Sequence, residues 1–458
     1  MSEAKSKKNN SIGIKNGQSQ IIVRFPPSPT GLFHVGNART ALFNYLFAKK
    51  NNGKLLFRLE DTDAERSKKE YEDDIIEGLK WLGIEMDFNN IVRQSERKNI
   101  YKKYLQKMID EGHAYLSNDE NIEEGKRAEV IRFKNPNKKI KFNDLIRGEI
   151  EFDTTELKDF VIAKSLEEPV YHLAVVVDDF EMGVSHIIRG EDGISNTPRQ
   201  ILIQESIGAP RPVYAHLPLV LAEDRSKLSK RKHGEIVSLS YYRQRGYLPE
   251  AMINFLALLG WNPGTDQEIF SMQELIGQFN LSRVQKSGAI FNIEKLNWIN
   301  SEYIKKMGED ELLEKCIPFI KITNHKLQIT KLKKILKIKQ ERMNNLAEAG
   351  DEISYFFEQP EYKKELLLWK QEKSLDKTKQ HLEKISEMIN EIEENNFVSH
   401  NIKEKVWEYA EEQGRGNALW PLRVALTGLD KSPEPFIVAE ILGKKETLNR
   451  IKNAVKKI

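Results

Sequence analysis

The sequence predicts an α/β protein: a parallel sheet with helical crossovers, interrupted by an α+β insertion and followed by an all-helical C-terminal region. Three observations carry this. Short apolar runs alternate with helix-period segments up to about residue 111. The alternation breaks between Gly112 and Pro169 and then resumes. Beyond about Tyr303 the pattern is helical, with few strand signals.

In chain order, Gln20–Phe25 (QIIVRF) reads as a buried strand. Pro26 to Gly36 holds three prolines and two glycines and cannot be regular. Asn37–Lys50 carries Leu42, Tyr45 and Leu46 at helical spacing, and Asn51-Asn52-Gly53 stops it. Lys54–Leu59 is a second strand, and Ser67–Leu82 a helix with Ile75, Ile76, Leu79 and Leu82 on one side. Strand–loop–helix–strand order argues parallel pairing, because a parallel neighbour needs a crossover. In the insertion, Val130–Phe133 and Gly148–Phe152 are strand-like pieces among charged loops. The sheet pattern returns as strands Tyr171–Val177 and Val184–Arg189, helix Thr197–Ile207 and strand Val213–Leu221, before a charged loop, Ala222 to Gly234. Trp420-Pro421-Leu422 marks a bend in the helical region.

With 458 residues the chain is long enough for about three domains. Its 72 basic and 69 acidic residues nearly balance at +3, and 39% hydrophobic content supports a sizeable core. A single cysteine, Cys316, excludes an internal disulfide framework and a multi-cysteine zinc site. No apolar run approaches the ~20 residues of a membrane helix. Residues 1–19 are polar, lack the apolar stretch of a secretory signal, and read as a disordered tail. The expected compartment is the reducing cytoplasm. From Lys321 to Gln340 there are seven lysines and no acid, interleaved with leucine and isoleucine. That is the solvated face of an amphipathic helix, or a phosphate-facing stripe.

Two loops carry chemistry. Pro27-Ser28-Pro29-Thr30-Gly31-Leu32-Phe33-His34-Val35-Gly36-Asn37 lies between a strand and a helix start, where open α/β sheets bind ligands. Gly36 lets a flat base approach without a Cβ in the way, and His34 and Asn37 can donate to phosphate. Asp224-Arg225-Ser226-Lys227-Leu228-Ser229-Lys230-Arg231-Lys232-His233-Gly234 follows a later strand. Its cations can close on a polyphosphate and stabilise a departing pyrophosphate. Either loop alone reads as an ordinary turn; the ordered pair on one sheet does not.

Here the sequence resembles the bacterial glutamyl-tRNA synthetase family, from about Gln20 to Ile458. Arg24-Phe25-Pro26-Pro27-Ser28-Pro29-Thr30-Gly31 is similar to the family's opening. His34-Val35-Gly36-Asn37 is similar to the HIGH signature of class I synthetases, and Lys227-Leu228-Ser229-Lys230-Arg231 to their KMSKS signature. Arg58-Leu59-Glu60-Asp61-Thr62-Asp63, Val175-Val176-Val177-Asp178-Asp179, Ile188-Arg189-Gly190-Glu191-Asp192, Asn196-Thr197-Pro198-Arg199-Gln200 and His216-Leu217-Pro218-Leu219 follow in order, with Pro421-Leu422-Arg423-Val424-Ala425-Leu426-Thr427-Gly428 near the end.

The resemblance implies a Rossmann-like catalytic domain over 20–111 and 170–234, an acceptor-stem-binding insertion over 112–169, a stem-contact region over 235–302 and an anticodon-binding region over 303–458. It implies ATP-dependent activation of L-glutamate and transfer to tRNA(Glu), with ATP and Mg2+. His34, Asn37 and Lys230 are the expected catalytic residues. Gly36, His34, Lys227, Lys230 and Arg231 are expected at ATP, and Arg24, Ser28, Glu60, Tyr171 and Arg189 at glutamate. Arg415, Trp420, Arg423 and the 321–340 lysines are candidates for the anticodon. A monomer is the default expectation.

Three departures stand out. Ala114-Tyr115-Leu116-Ser117-Asn118-Asp119 occupies the place of a Cys-x-Cys knuckle in many bacterial relatives, so no zinc and a trimmed insertion are predicted. Pro26 replaces a small residue, as in the glutaminyl branch. Val175 and Gly193 stand where some relatives carry polar or bulkier side chains. Competing readings are an enzyme that also charges tRNA(Gln), a glutaminyl-specific enzyme, the short relative that modifies a tRNA base, and a scaffold without catalysis. The Ser-Pro-Thr-Gly opening argues against glutaminyl specificity, the helical C-terminus against the short relative, and intact His34, Glu60 and Lys230 against a scaffold.

Overall fold

The computed structural model describes residues 20–63, 65–118, 129–320, 329–370 and 374–458. The expected tail 1–19, Asp119 and the start of the lysine run (321–328) lie outside the described residues. The chain divides after Ile299 into two compact units.

The first unit opens with β1 (Ile22–Phe25), α1 (Val35–Lys50), β2 (Lys54–Leu59), α2 (Lys69–Trp81), β3 (Val92–Arg93) and α3 (Lys98–Asp110). β2 lies between β1 and β3, parallel to both, with Phe25 opposite Phe57 and Leu59 opposite Arg93. Then come β4 (Ala114–Asn118), β5 (Glu129–Phe133), β6 (Lys139–Asp144), β7 (Gly148–Asp153), β8 (Phe160–Ser165) and β9 (Glu168–Pro169). β4, β5, β8 and β9 make their own antiparallel sheet. The β6–β7 hairpin instead joins the edge of a parallel pair, β10 (His186–Gly190) and β11 (Val213–Leu217), through Asp144 opposite Tyr214. The insertion and the parallel layer share one apolar core, where Ile131 and Phe133 meet Val177, Ile187 and Ile201.

β10 runs beside β1. The Ser185 amide donates to the Ile22 carbonyl (2.9 Å), and the Ile22 amide donates to the Ser185 hydroxyl (2.8 Å). From β1 the chain winds outward through β2 to β3; from β10 it winds the other way to β11. The switch therefore falls between β1 and β10, and a crevice opens beyond their carboxyl ends. The first loop singled out in the sequence leaves β1 at that crevice; the second follows Val220–Leu221, which lies outside this sheet in a separate parallel pair, but it lines the same crevice.

α1 packs against this sheet, and Asn44 Nδ2 on α1 donates to the Ile188 carbonyl on β10 (3.1 Å). The expected strand Tyr171–Val177 is instead part of helix α4 (Tyr171–Glu181). Leu173 to Asp179 are buried without interruption, so the segment has no polar face to reveal a helical period. A buried helix and a buried strand leave the same apolar run. α5 (Thr197–Ile207) has the predicted bounds, with Pro198 in its first turn and Gly208 in the left-handed region (φ 74°) just past its end. Val213–Leu221 is broken at Pro218 into β11 and β12 (Val220–Leu221), and β12 pairs in parallel with β13 (Ala289–Ile290). The basic loop contains one short helical turn, α6 (Lys230–His233).

The second unit is helical among its described residues, from Glu309–Cys316 to Lys444–Lys457. Trp420-Pro421-Leu422, where a bend was expected, lies within helix Arg415–Thr427, with Pro421 in its interior. Arg450 anchors this bundle. Its guanidinium is buried and donates to the carbonyls of Tyr355 (2.6 Å), Leu426 (2.6 Å) and Glu358 (3.0 Å). No described helix is long and apolar enough to cross a membrane.

Candidate active site

A cavity of about 620 Å³ occupies the crevice. One end is built from buried charge. Arg24 on β1 is 1% exposed, and its Nε lies 3.3 Å from Asp179 Oδ1. Arg58 on β2 reaches the same carboxylate (2.8 Å) and Glu60 Oε1 (3.2 Å), with its Nε 3.7 Å from Asp178. Asp178 in turn accepts from Arg97 (2.7 Å), Tyr101 (2.8 Å) and Gln94 (2.9 Å). Burial alone would lower the Arg58 pKa, but Asp179, Glu60 and Asp178 outweigh it and push it up. Burial opposes ionisation of Asp179 too, yet Arg24 and Arg58 hold its carboxyl below the usual range. Glu60 differs: burial raises its pKa despite Arg58 and Arg24.

Arg189 enters from β10. Its Nε donates to His216 Nε2 (3.1 Å), and its NH2 donates to the Gly193 carbonyl (3.1 Å) and the Thr197 hydroxyl (2.9 Å). Gly193 is what makes room: a Cβ there would stand 2.5 Å from Arg189 Nε. The NH1 groups of Arg24 and Arg189 are both buried without a hydrogen-bond partner among the described residues. Buried guanidinium N–H groups are normally satisfied. Two such orphans in residues lining one cavity fit ligand carboxylates. Glu60, Ser28 and Tyr171 line the same cavity.

The other end is built from a helix N-terminus and the basic loop. His34 caps α1, its Nδ1 accepting from the Asn37 amide (3.2 Å). This leaves the proton on Nε2, a donor for phosphate. Enclosure in the cleft, then the charge of Lys227, keep the His34 pKa below the ordinary value, so the ring is neutral at pH 7. A Cβ on Gly36 would sit 3.1 Å from His34 Nδ1, so glycine there keeps the cap and the floor of the cleft open. Lys227 and Lys230 line the cavity and make no ion pair among the described residues. The loop is a tight hairpin, with Leu228 N donating to Val220 O (3.0 Å) and Ala222 N to Ser226 O (2.9 Å). Asp192 is the carboxylate on this side of the cavity.

The expected residues Arg24, Ser28, His34, Gly36, Asn37, Glu60, Tyr171, Arg189, Lys227 and Lys230 therefore line one cavity. Arg231 does not. Pro26 and Gly193 line it; Val175 lies in the apolar core instead. Sequence reasoning assigned no role to Arg58, Asp179, His216 or Asp144. The available signal was charge inside apolar runs (KLLFRLE, VVVDD), where an ion requires a partner.

In the second unit a cavity of about 620 Å³ is lined by Lys339, Arg342, Tyr355, Phe356, Arg423 and others. Of the anticodon candidates, Arg423 and Lys339 line it. Trp420 is engaged otherwise, Nε1 donating to Leu366 O (2.8 Å) with its ring 4.9 Å from Trp369. Arg415 pairs with Glu411 and lies over the Trp407 ring. Among the described residues no group of three His, Cys, Asp or Glu is placed to hold a metal ion. The segment expected to replace a zinc knuckle is β4, paired with β5.

The chain matches a family model for the catalytic domain of class I tRNA synthetases (E and Q) over residues 20–129 and 118–298. An anticodon-binding-domain model matches 311–455. The chain is 42% identical to glutamate–tRNA ligases of Carboxydothermus hydrogenoformans, over 94% of this chain and 99% of that one, and of Aquifex aeolicus, over 96% and 100%. The crystal structure of a glutamate–tRNA ligase from Elizabethkingia meningosepticum in complex with its amino acid superposes with a TM-score of 0.85 at 32% identity, covering 96% of this chain and 99% of that one.

Proposed function

The chain belongs to the glutamate–tRNA ligases of the class I aminoacyl-tRNA synthetases, and from that premise we propose that its cleft activates L-glutamate with ATP and passes the glutamyl group to tRNA(Glu). One observation carries the reading: a cavity with two orphaned guanidinium NH1 groups at one end and two unpaired lysines beside a helix N-terminus at the other. It is shaped for a small zwitterion with extra carboxylate next to a polyphosphate.

The glutamate carboxylate attacks the α-phosphorus; that P–O bond forms as the α–β bridging bond breaks and pyrophosphate leaves. A carboxylate is already a nucleophile, so positioning and charge stabilisation dominate. Arg24 and Arg189 hold carboxylates, and Glu60 takes the ammonium. Ser28 and Tyr171 add hydroxyl bonds. His34 Nε2–H and Asn37 donate to phosphate, Gly36 admits the base, and Lys230 with Lys227 meets the charge on the departing pyrophosphate. Arg231 adds only long-range positive potential. Magnesium bound with the nucleotide would supply neutralisation of phosphate charge, and Asp192, a carboxylate lining the cavity, would be the protein group to help hold it. The terminal ribose hydroxyl of the tRNA then attacks the glutamyl carbonyl, releasing AMP.

In this reading residues 112–169 meet the acceptor stem, 235–302 continue along it, and the 339–433 cavity takes an anticodon base. Arg342 and Arg423 line it and offer cations. The enzyme works as a monomer in the cytoplasm. The test is charging of tRNA(Glu) with labelled glutamate and with labelled glutamine. Glutamate-only charging is expected; no charging of either would sink the reading. A tRNA(Gln) transcript in the same assay reads the acceptor range.

A further inference from the structure

Arg189 is held from behind by a chain of two residues that do not line the cavity. His216 is 0% exposed and Asp144 2%. His216 Nδ1 lies 2.7 Å from Asp144 Oδ2, and its Nε2 faces Arg189 Nε at 3.1 Å. An arginine N–H can only donate, so His216 Nε2 must be the bare acceptor and Nδ1 must carry the proton. Asp144 enforces that tautomer by accepting the Nδ1 proton. It is itself pinned by the amides of Ile146 (2.9 Å), Arg147 (2.9 Å) and His216 (3.0 Å). Burial and Arg189 keep the His216 pKa below the ordinary value even though Asp144 raises it, in keeping with a neutral ring.

We propose that Asp144 and His216 are positioning residues for amino-acid recognition: they fix the tautomer and rotation that aim the free NH1 of Arg189 into the cavity. The inference rests on the reading of Arg189 as a carboxylate ligand. The remaining Arg189 contacts, Gly193 O and Thr197 Oγ1, hold only NH2. Without an acceptor at Nε the fork can rotate about that edge. Asp144 belongs to β6, so the support reaches the amino-acid pocket from the insertion.

The experiment measures aminoacylation with glutamate, ATP and tRNA varied in turn, for the full chain and four variants, beside thermal melts. Asp144→Asn can donate to His216 Nδ1 and so turn Nε2 into a donor facing a donor. His216→Asn keeps a donor toward Asp144 and loses the acceptor toward Arg189. Both are expected to raise the KM for glutamate about 10- to 100-fold, the range for losing one hydrogen bond to a charged group. KM for ATP and tRNA should stay within about threefold in both. His216→Gln restores an acceptor within reach of Nε and should recover most of the glutamate KM. Parallel losses for all three substrates, a fall that tracks the melting temperature, or no recovery in His216→Gln would overturn the proposal as mere packing. Arg189→Lys is the control on the premise. An unchanged glutamate KM in that variant overturns the pocket reading itself, whatever the other variants do.

Discussion

The two ends of the cleft hold their charges in opposite ways. At the proposed amino-acid end Arg24, Arg58 and Asp179 are buried and mutually paired, and Glu60 is locked beside them. At the proposed phosphate end Lys227 on the hairpin and Lys230 at the start of α6 are exposed and unpaired among the described residues. Under the proposed function the difference follows from the ligands. A small amino acid is selected by groups whose geometry is set in advance, so its pocket is tied into the core. A triphosphate must enter, react and release pyrophosphate, so the cations that meet it sit on a segment with little packing to disrupt. The first end therefore couples stability to recognition, and the second separates them.

The sharpest way to break that contrast is Arg58→Met. It leaves Asp179 and Asp178 buried with less compensation and should cost about 3–5 kcal/mol of stability, read by urea denaturation. A loss below about 1 kcal/mol would mean that this end is not tied to the core as described. Lys230→Ala should do the reverse. It should lower kcat/KM for charging by about 10²- to 10³-fold, the range for removing one donor to a developing charge, with an unchanged melt.

Glu60→Gln tests the coupling more finely. The folded-state pKa of Glu60 is raised by burial, so its charged form is disfavoured by folding. A raised folded pKa contributes stability at low pH that is lost as pH rises through it. Removing the charge should therefore leave the neutral-pH melting point unchanged or higher, while the KM for glutamate rises. In the wild type, glutamate affinity should fall as pH drops through that raised value, because the ammonium loses its partner. That acidic limb should vanish in Glu60→Gln; a shared limb would assign it elsewhere. The smallest expected effect is Arg231→Ala. Its side chain does not line the cavity, so charging should change less than about threefold. A loss comparable to that of Lys230→Ala would show that the loop closes further than its present geometry.

Much of this architecture was readable in advance where the code is local. α5 began and ended as expected because Pro198 and Gly208 mark its ends chemically. β2 had the expected bounds because Gly53 and the charge after Leu59 frame an apolar run. α4 was misread because its buried faces carry no period. Pro421, where a bend was expected, sits inside the Arg415–Thr427 helix, which is packed on its neighbours and so tolerates one missing backbone donor.

The site divides along the same line. The sequence by itself determined which loops line the cavity, the identity of the cations and carboxylates, and the order of strands and helices in which they occur. Those are properties of neighbours in the chain. Only the tertiary structure decided that Arg24 and Arg58 share Asp179, that Gly193 opens a space for Arg189, that His216 and Asp144 stand behind it, and that Arg231 falls outside the cavity while Lys230 lines it. Arg58 and Asp179 lie 121 residues apart. No periodicity links positions so distant; the crossing of β1, β2 and β10 with α4 brings them together, and burial then makes their pairing obligatory.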